Sequence, residues 1–511
     1  MSRQVIITDL GGMTLDDVEQ IARNNVKVKI SKKAEEGFTR GRALVDKWVD
    51  QGEKIYGVTT GFGALSNVAI SGDDTKKLQR NILLSHSAGV GKPLPEDVVR
   101  AMMAIRVNDF CLGRSGLSLR TVNKLVQIIN SPIVPVVPEK GSVGASGDLA
   151  PMSHIALVLI GEGEAFVNGK RLAGADALAM CSIEPVELKA GEGLALINGT
   201  QMMTAIGALA LTDIQRLCKH ADIAASMSLE VLLGTRTAFD RRIHMARPHE
   251  GQMVSAGNML KISEKSEIIS SHKDCSRIQD AYSLRCSPQV HGATLDTVNY
   301  AEKVITTEIN SSTENPLIFT DTKDFISGGN FHGQPVALVL DFLGIAVAEL
   351  ASISERRIER LVNPDLSGLP AFLVENGGLN SGFMIAQYTA AALVSDNKIL
   401  AHPSSVDSIP TSANKEDHVS MGANGARKLL RIIENVEEVL SIELLVAAQG
   451  YDLFTNLKGG IGTKAAHDVI RTKVEYLRED RLIANDINIV KNLLKSGKIL
   501  DAVEKRAGTL G

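Results

Sequence analysis

The chain has 511 residues, 44% of them hydrophobic and 22% charged, with a formal net charge of −4. That balance allows a large core in two or more lobes and leaves no basic stripe for nucleic acid. Five cysteines (Cys111, Cys181, Cys218, Cys275, Cys286), odd in number and without CxxC spacing, argue for reduced thiols and against a disulfide framework or a zinc site. The opening Met1-Ser2-Arg3-Gln4-Val5 carries no long apolar run, and no uncharged apolar stretch reaches membrane-spanning length. The expected setting is cytoplasmic, with neither membrane nor nucleic acid as partner.

Along the chain, the first third mixes short apolar strands with helices and glycine-rich loops. Tyr56 opens one such loop, running to Gly63, and Ser85 to Gly91 forms another. Ile133 to Val137 reads as a strand, followed by the loop from Gly141 to Pro151 and a helix start. From about residue 191 the texture becomes long alanine- and leucine-rich helices. Leu194 to Leu233 reads as one or two helices, Gln334 to Leu361 as another and Ala426 to Gln449 as a third. The last places Leu429, Ile432, Ile433, Val436, Leu440 and Leu444 on one stripe, with Arg431, Glu434, Glu437 and Glu438 facing outward. The expected fold is mainly α: residues 191–511 as a long-helix bundle, residues 1–190 as a smaller mixed α/β lobe. The wide apolar face at Val336-Ala337-Leu338-Val339-Leu340 suggests burial between subunits as well as within one. Loops at Asp280 to Gly292, Gly328 to Gly333 and Pro410 to Ser420 interrupt the helices, where a bundle collects site residues at one end.

The stretch Gly141-Ser142-Val143-Gly144-Ala145-Ser146-Gly147-Asp148-Leu149-Ala150-Pro151 is the most informative. Ala145-Ser146-Gly147 can cyclise: the Gly147 nitrogen attacks the Ala145 carbonyl, and loss of two waters turns Ser146 into an exocyclic methylidene. The product, 4-methylidene-imidazol-5-one (MIO), is an electrophile made from backbone and one hydroxymethyl group, so no external cofactor is required. A nitrogen next to a carbon without Cβ, in a compressed loop, favours that chemistry. A plain glycine turn or a phosphate cradle would also fit the loop alone. Asp148 and the lack of a Lys-Ser or Lys-Thr pair count against phosphate.

Dispersed motifs carry the next step. They are Tyr56-Gly57-Val58-Thr59-Thr60-Gly61-Phe62-Gly63, Leu84-Ser85-His86-Ser87-Ala88-Gly89-Val90-Gly91, the Gly141–Pro151 loop and Asn198-Gly199-Thr200. Further on come Gln279-Asp280-Ala281-Tyr282-Ser283-Leu284-Arg285-Cys286, Asn330-Phe331-His332-Gly333 and Asn414-Lys415-Glu416-Asp417-His418-Val419-Ser420-Met421. With these, the chain from about Tyr56 to about Leu453 resembles the aromatic amino acid ammonia-lyases. The resemblance implies an MIO built from Ala145, Ser146 and Gly147, and a homotetramer whose active sites draw on more than one subunit. It implies Tyr56 as the base for the substrate β-proton, which a phenol of ordinary pKa about 10 can be only in a polar or cationic site. Arg285 would clamp the substrate carboxylate, Tyr282 would stand near the reacting carbon, and Asn198 would hold the MIO carbonyl and the amine. Gln279 and Phe331 match binding-pocket positions.

Substrate choice rests on Ser85-His86 and Glu416, the pattern of the members that act on histidine. A carboxylate suits an imidazole N–H, whereas a benzene ring would leave it unpaired. The implied reaction is L-histidine to trans-urocanate and ammonia, the first step of histidine degradation. Val58-Thr59 follows the phenylalanine- and tyrosine-type loop, so a lyase for those amino acids or a 2,3-aminomutase is the alternative. Lys415 and Met152-Ser153 also depart from the usual pattern.

Overall fold

A computed structural model describes residues 5–9, 11–61, 74–273 and 278–511. Met1 to Gln4, Phe62 and Gly63 of the tyrosine loop, and Cys275 lie outside the described residues. The fold is mainly α, with long helices at Gln201–Val231, Ser287–Ile309, Gln334–Val362 and Gly422–Tyr451. Its sheets are small: two-stranded pairs and one three-stranded meander.

Two compact units divide the chain. The first comprises Met1–Thr212, Glu302–Asp341 and Pro403–Arg427; the second comprises Asp213–Ala301, Phe342–His402 and Lys428–Gly511. In the first unit, Glu96–Cys111 is a helix buried along nearly its whole length, which explains its lack of a polar face. Val90–Pro93 pairs antiparallel with Pro138–Lys140, so the strand entering the Gly141 loop is anchored. Ile133–Pro135 pairs with Glu164–Val167 in the meander.

In the second unit the Glu443 carboxylate accepts from the Ser228 and Ser354 hydroxyls, each at 2.6 Å, and pairs with Arg357 at 2.5 Å. That buried, fully partnered pair ties three helices together, because neither charge could be left alone there. The stripe of Leu429, Ile432, Ile433, Val436, Leu440 and Leu444 is buried as its spacing predicts. The outward face is only partly outward: Arg431 and Glu434 are exposed, but Glu437 is buried. Lys495 and Lys491 of Ile483–Lys495 pair with Glu437 and Glu438 at 3.0 and 2.9 Å, a partnership that helical spacing could not reveal.

The Leu194–Leu233 segment is two helices, Glu192–Ile197 and Gln201–Val231, parted at Asn198-Gly199-Thr200. Asn198 therefore ends one helix rather than opening the next. Gly199 has φ +149°, and a Cβ there would meet the Arg106 guanidinium at 3.0 Å. Gln334–Val362 is long and apolar enough to cross a membrane, yet Asp341 and Glu349 interrupt it and most of its apolar stretch is buried. It has the character of a core helix.

Candidate active site

The Gly141–Pro151 loop is pressed from two sides within the first unit. Gly144 and Gly147 have φ of +66° and +72°, where side-chain-bearing residues are strained. A Cβ on Gly144 would strike the Ser420 hydroxyl, and one on Gly147 would strike the Gly199 carbonyl. Asp148 N–H donates to the Gly199 carbonyl at 2.6 Å, and Met421 N–H donates to the Val143 carbonyl at 2.9 Å. Ser420 Oγ donates to the Gly144 carbonyl at 3.0 Å. Ala145 is buried against Val143, Val419 and Met421.

Asp148 is completely buried and accepts from Ser142 Oγ and Met203 N–H, both at 2.9 Å. Burial pushes its carboxyl up to about 6, against the pull of those hydrogen bonds. It serves as an internal tether rather than repelling a phosphate. Helices start beside the loop at Leu149, Gln201 and Gly422, bringing the positive ends of their dipoles to this corner.

Asn198 closes the cradle. Its amide is satisfied when Nδ2 donates to the Ser146 carbonyl at 2.9 Å and Oδ1 accepts from Asn315 N–H at 3.0 Å. In the cyclisation described above the Ser146 carbonyl oxygen stays outside the ring, so this contact would survive ring closure. A Gly147 position that only glycine fills, a clamped Ser146 carbonyl and a buried Ala145 fit the MIO.

Beneath Asn198 lies a network that the sequence did not announce. The fully buried Arg106 guanidinium donates to the Asn198 carbonyl at 2.9 Å and to the Ala195 carbonyl, and pairs with Asp109 at 2.7 Å. Glu314 lies 3.5 Å from the same guanidinium. Burial pushes both carboxyls above the ordinary range, with Arg106 pulling the other way. Arg106 and Asp109 stand three apart on a helix and read as an ordinary surface pair, so spacing carried no signal.

Tyr56 lines a cavity of about 20 Å³ with Asn198, Glu314 and Asn315. Its apolar wall includes Trp48, Ile55 and Val58, so Val58 acts in packing. Thr59 shapes the turn, its hydroxyl donating to the Glu53 carbonyl at 2.6 Å and accepting from Ile55 N–H at 2.9 Å. Of the other departures, Lys415 is exposed and Met152 and Ser153 are buried in the helix after the loop.

Glu416 reaches the tripeptide itself. Ser146 Oγ donates to Glu416 Oε1 at 3.0 Å, and Thr411 Oγ1 donates to Oε2 at 2.6 Å. Backbone hydrogen bonds in both directions join Thr411 and Glu416 across a turn whose Ser412, Ala413 and Asn414 all have positive φ. Strain held in place this way is common where a side chain must be aimed. His86 stands close enough for Glu416 to act on its titration, and Ser85 Oγ lies 3.0 Å from His86 Nδ1. Phe331 is half-buried. Its loop continues to Gly333, where a Cβ would meet Met203 and Ser420 beside the cradle.

Gln279, Tyr282 and Arg285 belong to the second unit. Arg285 lies 4.6 Å over the Tyr282 ring. Its Nε is buried without a hydrogen-bond partner, and Tyr282 is 72% exposed. An unpartnered guanidinium N–H is what a carboxylate would satisfy. Gln279 is exposed and lines a separate cavity with Arg236, Lys265 and Lys273. The first unit thus joins Ser146, Asn198 and Glu416 in one cradle, with His86 in electrostatic reach of Glu416, Ser85 against His86, and Tyr56 and Phe331 on other loops of the same unit.

The sequence model of aromatic amino acid lyases matches residues 13–472. The chain belongs to the aromatic amino acid lyase family. Among relatives in this family, a histidine ammonia-lyase of Alkaliphilus oremlandii is 54% identical over 500 residues, 98% of each chain. Histidine ammonia-lyase from Trypanosoma cruzi shares its fold at a TM-score of 0.91 and 44% identity, over 98% of this chain and 95% of that one. Tyrosine aminomutase from Streptomyces globisporus matches at a TM-score of 0.94 and 37% identity, over 99% of this chain and 100% of that one.

Proposed function

We propose that this lyase-family chain converts L-histidine to trans-urocanate and ammonia. The observation that carries the reading is Glu416, hydrogen-bonded to Ser146 and within electrostatic reach of His86, in a chain 54% identical to a histidine ammonia-lyase over nearly its full length. A carboxylate with an imidazole in electrostatic reach suits a substrate ring with N–H groups better than a benzene ring.

In this reading Ala145, Ser146 and Gly147 form the MIO, held by Asn198 at the Ser146 carbonyl and by the Gly199 carbonyl at Asp148 N–H. The MIO supplies an electrophile that activates the substrate amine for departure. Tyr56 takes the β-proton as general base. Arg285 fixes the carboxylate, its unpartnered Nε supplying a donor and Tyr282 lying beneath it, while Gln279 and Phe331 bound the pocket. Glu416 and His86 orient the imidazole. Glu416 touches Ser146 Oγ, so it also faces the atoms among which the amine departs.

The reading includes a cytoplasmic homotetramer with shared active sites. Exposed Tyr300, Phe342 and Ile345 line an apolar groove in the second unit, which supports burial by another copy. The test is incubation of the purified protein with L-histidine, following the conjugated near-ultraviolet absorbance of urocanate and free ammonia together. Both signals, with tyrosine and phenylalanine inert, are expected. A β-amino acid product instead would favour the aminomutase that the 37% identical structure represents.

A further inference from the structure

Asn198 meets Ser146 through an amide whose two ends are not interchangeable. Asn315 N–H can only donate and the Ser146 carbonyl can only accept, so Oδ1 must face the first and Nδ2 the second. The amide is therefore aimed by Asn315 N–H, in the short segment between helix Ser287–Ile309 and strand Leu317–Phe319. Two residues earlier in that segment stands Thr313, which is buried. Its hydroxyl donates to Asp109 Oδ2 at 3.0 Å and accepts from Gln201 Nε2 at 3.0 Å. The same Asp109 oxygen pairs with Arg106 at 2.7 Å, and Arg106 in turn donates to the Asn198 carbonyl at 2.9 Å. A Cβ on Gly199 would come within 2.6 Å of Thr313 Oγ1, so this hydroxyl also lies against the backbone that follows Asn198. One buried hub thus holds the Asn198 backbone from one side and the segment that aims its side chain from the other.

We infer that Thr313 is a positioning residue: anchored on Asp109, it keeps Asn315 N–H on Asn198 Oδ1 and so keeps Nδ2 on the Ser146 carbonyl. That carbonyl stays conjugated with the methylidene once the loop has cyclised, so a donor on its oxygen draws electron density from the electrophile. The inference rests on the proposed role of Ser146. It goes further in naming the residue that holds this contact in place from a distance. Arg106 and Asp109 are poor probes of the hub, because removing either strands the other's charge in the interior. Thr313→Val removes only the hydroxyl and keeps the branched shape.

The test measures kcat and KM for L-histidine, and the near-ultraviolet band that Ser146→Ala removes, in the unaltered enzyme, Thr313→Val and Thr313→Ser. Each is also made in an Asn198→Ala background. Thr313→Val should lower kcat about tenfold, one net hydrogen bond's worth, with KM within about twofold and the band moved to shorter wavelength. Thr313→Ser, which keeps the hydroxyl, should keep both. In the Asn198→Ala background Thr313→Val should change neither, because the amide it acts through is gone. Equal losses of kcat in both backgrounds, or a lower thermal midpoint with kcat and band unmoved, would make Thr313 merely structural and overturn the inference. A band that responds as expected in a chain inert toward histidine would uphold the inference and overturn the proposed substrate. No such band in the unaltered chain would overturn the MIO reading and this inference with it.

Discussion

The Ser146 cradle and the Tyr282–Arg285 turn carry equally specific motifs but are built in opposite ways. Around Ser146, the flanking carbonyls, Asn198, Glu416 and Ser420 all have partners inside the first unit, and glycines fill the places where a Cβ would collide. At the turn, Arg285 keeps an unpartnered Nε, and Tyr282 is mostly exposed. What holds the turn is indirect: Arg357 donates to the Ser283 carbonyl at 3.4 Å and to Ser287 Oγ at 3.3 Å from its buried pair with Glu443. A loop that must react with itself needs its own geometry over-determined, whereas a clamp must keep donors free for its ligand.

Substitutions can break this contrast. Ser146→Ala should cost the most, lowering kcat by about a thousandfold or more while leaving the thermal midpoint within a few degrees, because Ser146 is only half-buried. Arg285→Met should act differently. It should raise KM for histidine roughly 10- to 100-fold, the value of a charge-assisted bidentate contact, with the helical circular dichroism unchanged. A fall in kcat alone would remove Arg285 from substrate binding. Glu416→Gln should lower kcat/KM for histidine about tenfold, since the amide fills the same space without the charge, and steady-state kinetics would read this.

The last effect concerns the tether and is read in stability rather than turnover. Asp148 is raised from its ordinary 3.8 to about 6, so its contribution to stability is full below about pH 4 and is lost as pH rises through about 6. The difference is roughly 3 kcal/mol. Asp148→Asn should therefore show a shallower loss of stability than the parent between pH 4 and 6 in denaturant titrations. Equal slopes would mean that Asp148 is better solvated than its burial implies.

Much of this fold was legible from periodicity. Gln334–Val362 and Gly422–Tyr451 announced themselves through apolar stripes, and the Gly141 loop through glycines at every third position. The interruption at Asn198-Gly199-Thr200 was also written in the sequence, as an Asn-Gly turn signal. It was masked by the apolar runs on either side. The Arg106–Asp109–Glu314 network was not legible, because local spacing gives the same pattern for a solvated pair and for a buried one. Nor could sequence show that Glu416 contacts Ser146, since 270 residues separate them and only the tertiary fold brings them together. Ser420 stood in a motif without a role of its own and Thr411 in its loop unremarked, because both are ordinary loop hydroxyls until the fold aims them.

The central claim is that Ala145-Ser146-Gly147 turns itself into the reactive group, and the mass of the purified chain tests it most directly. The peptide containing these residues should weigh two waters less than its sequence requires in the parent. That deficit should vanish in Gly147→Ala, whose methyl cannot fit against the Gly199 carbonyl. A folded, histidine-consuming parent whose peptide keeps its full mass would contradict the account.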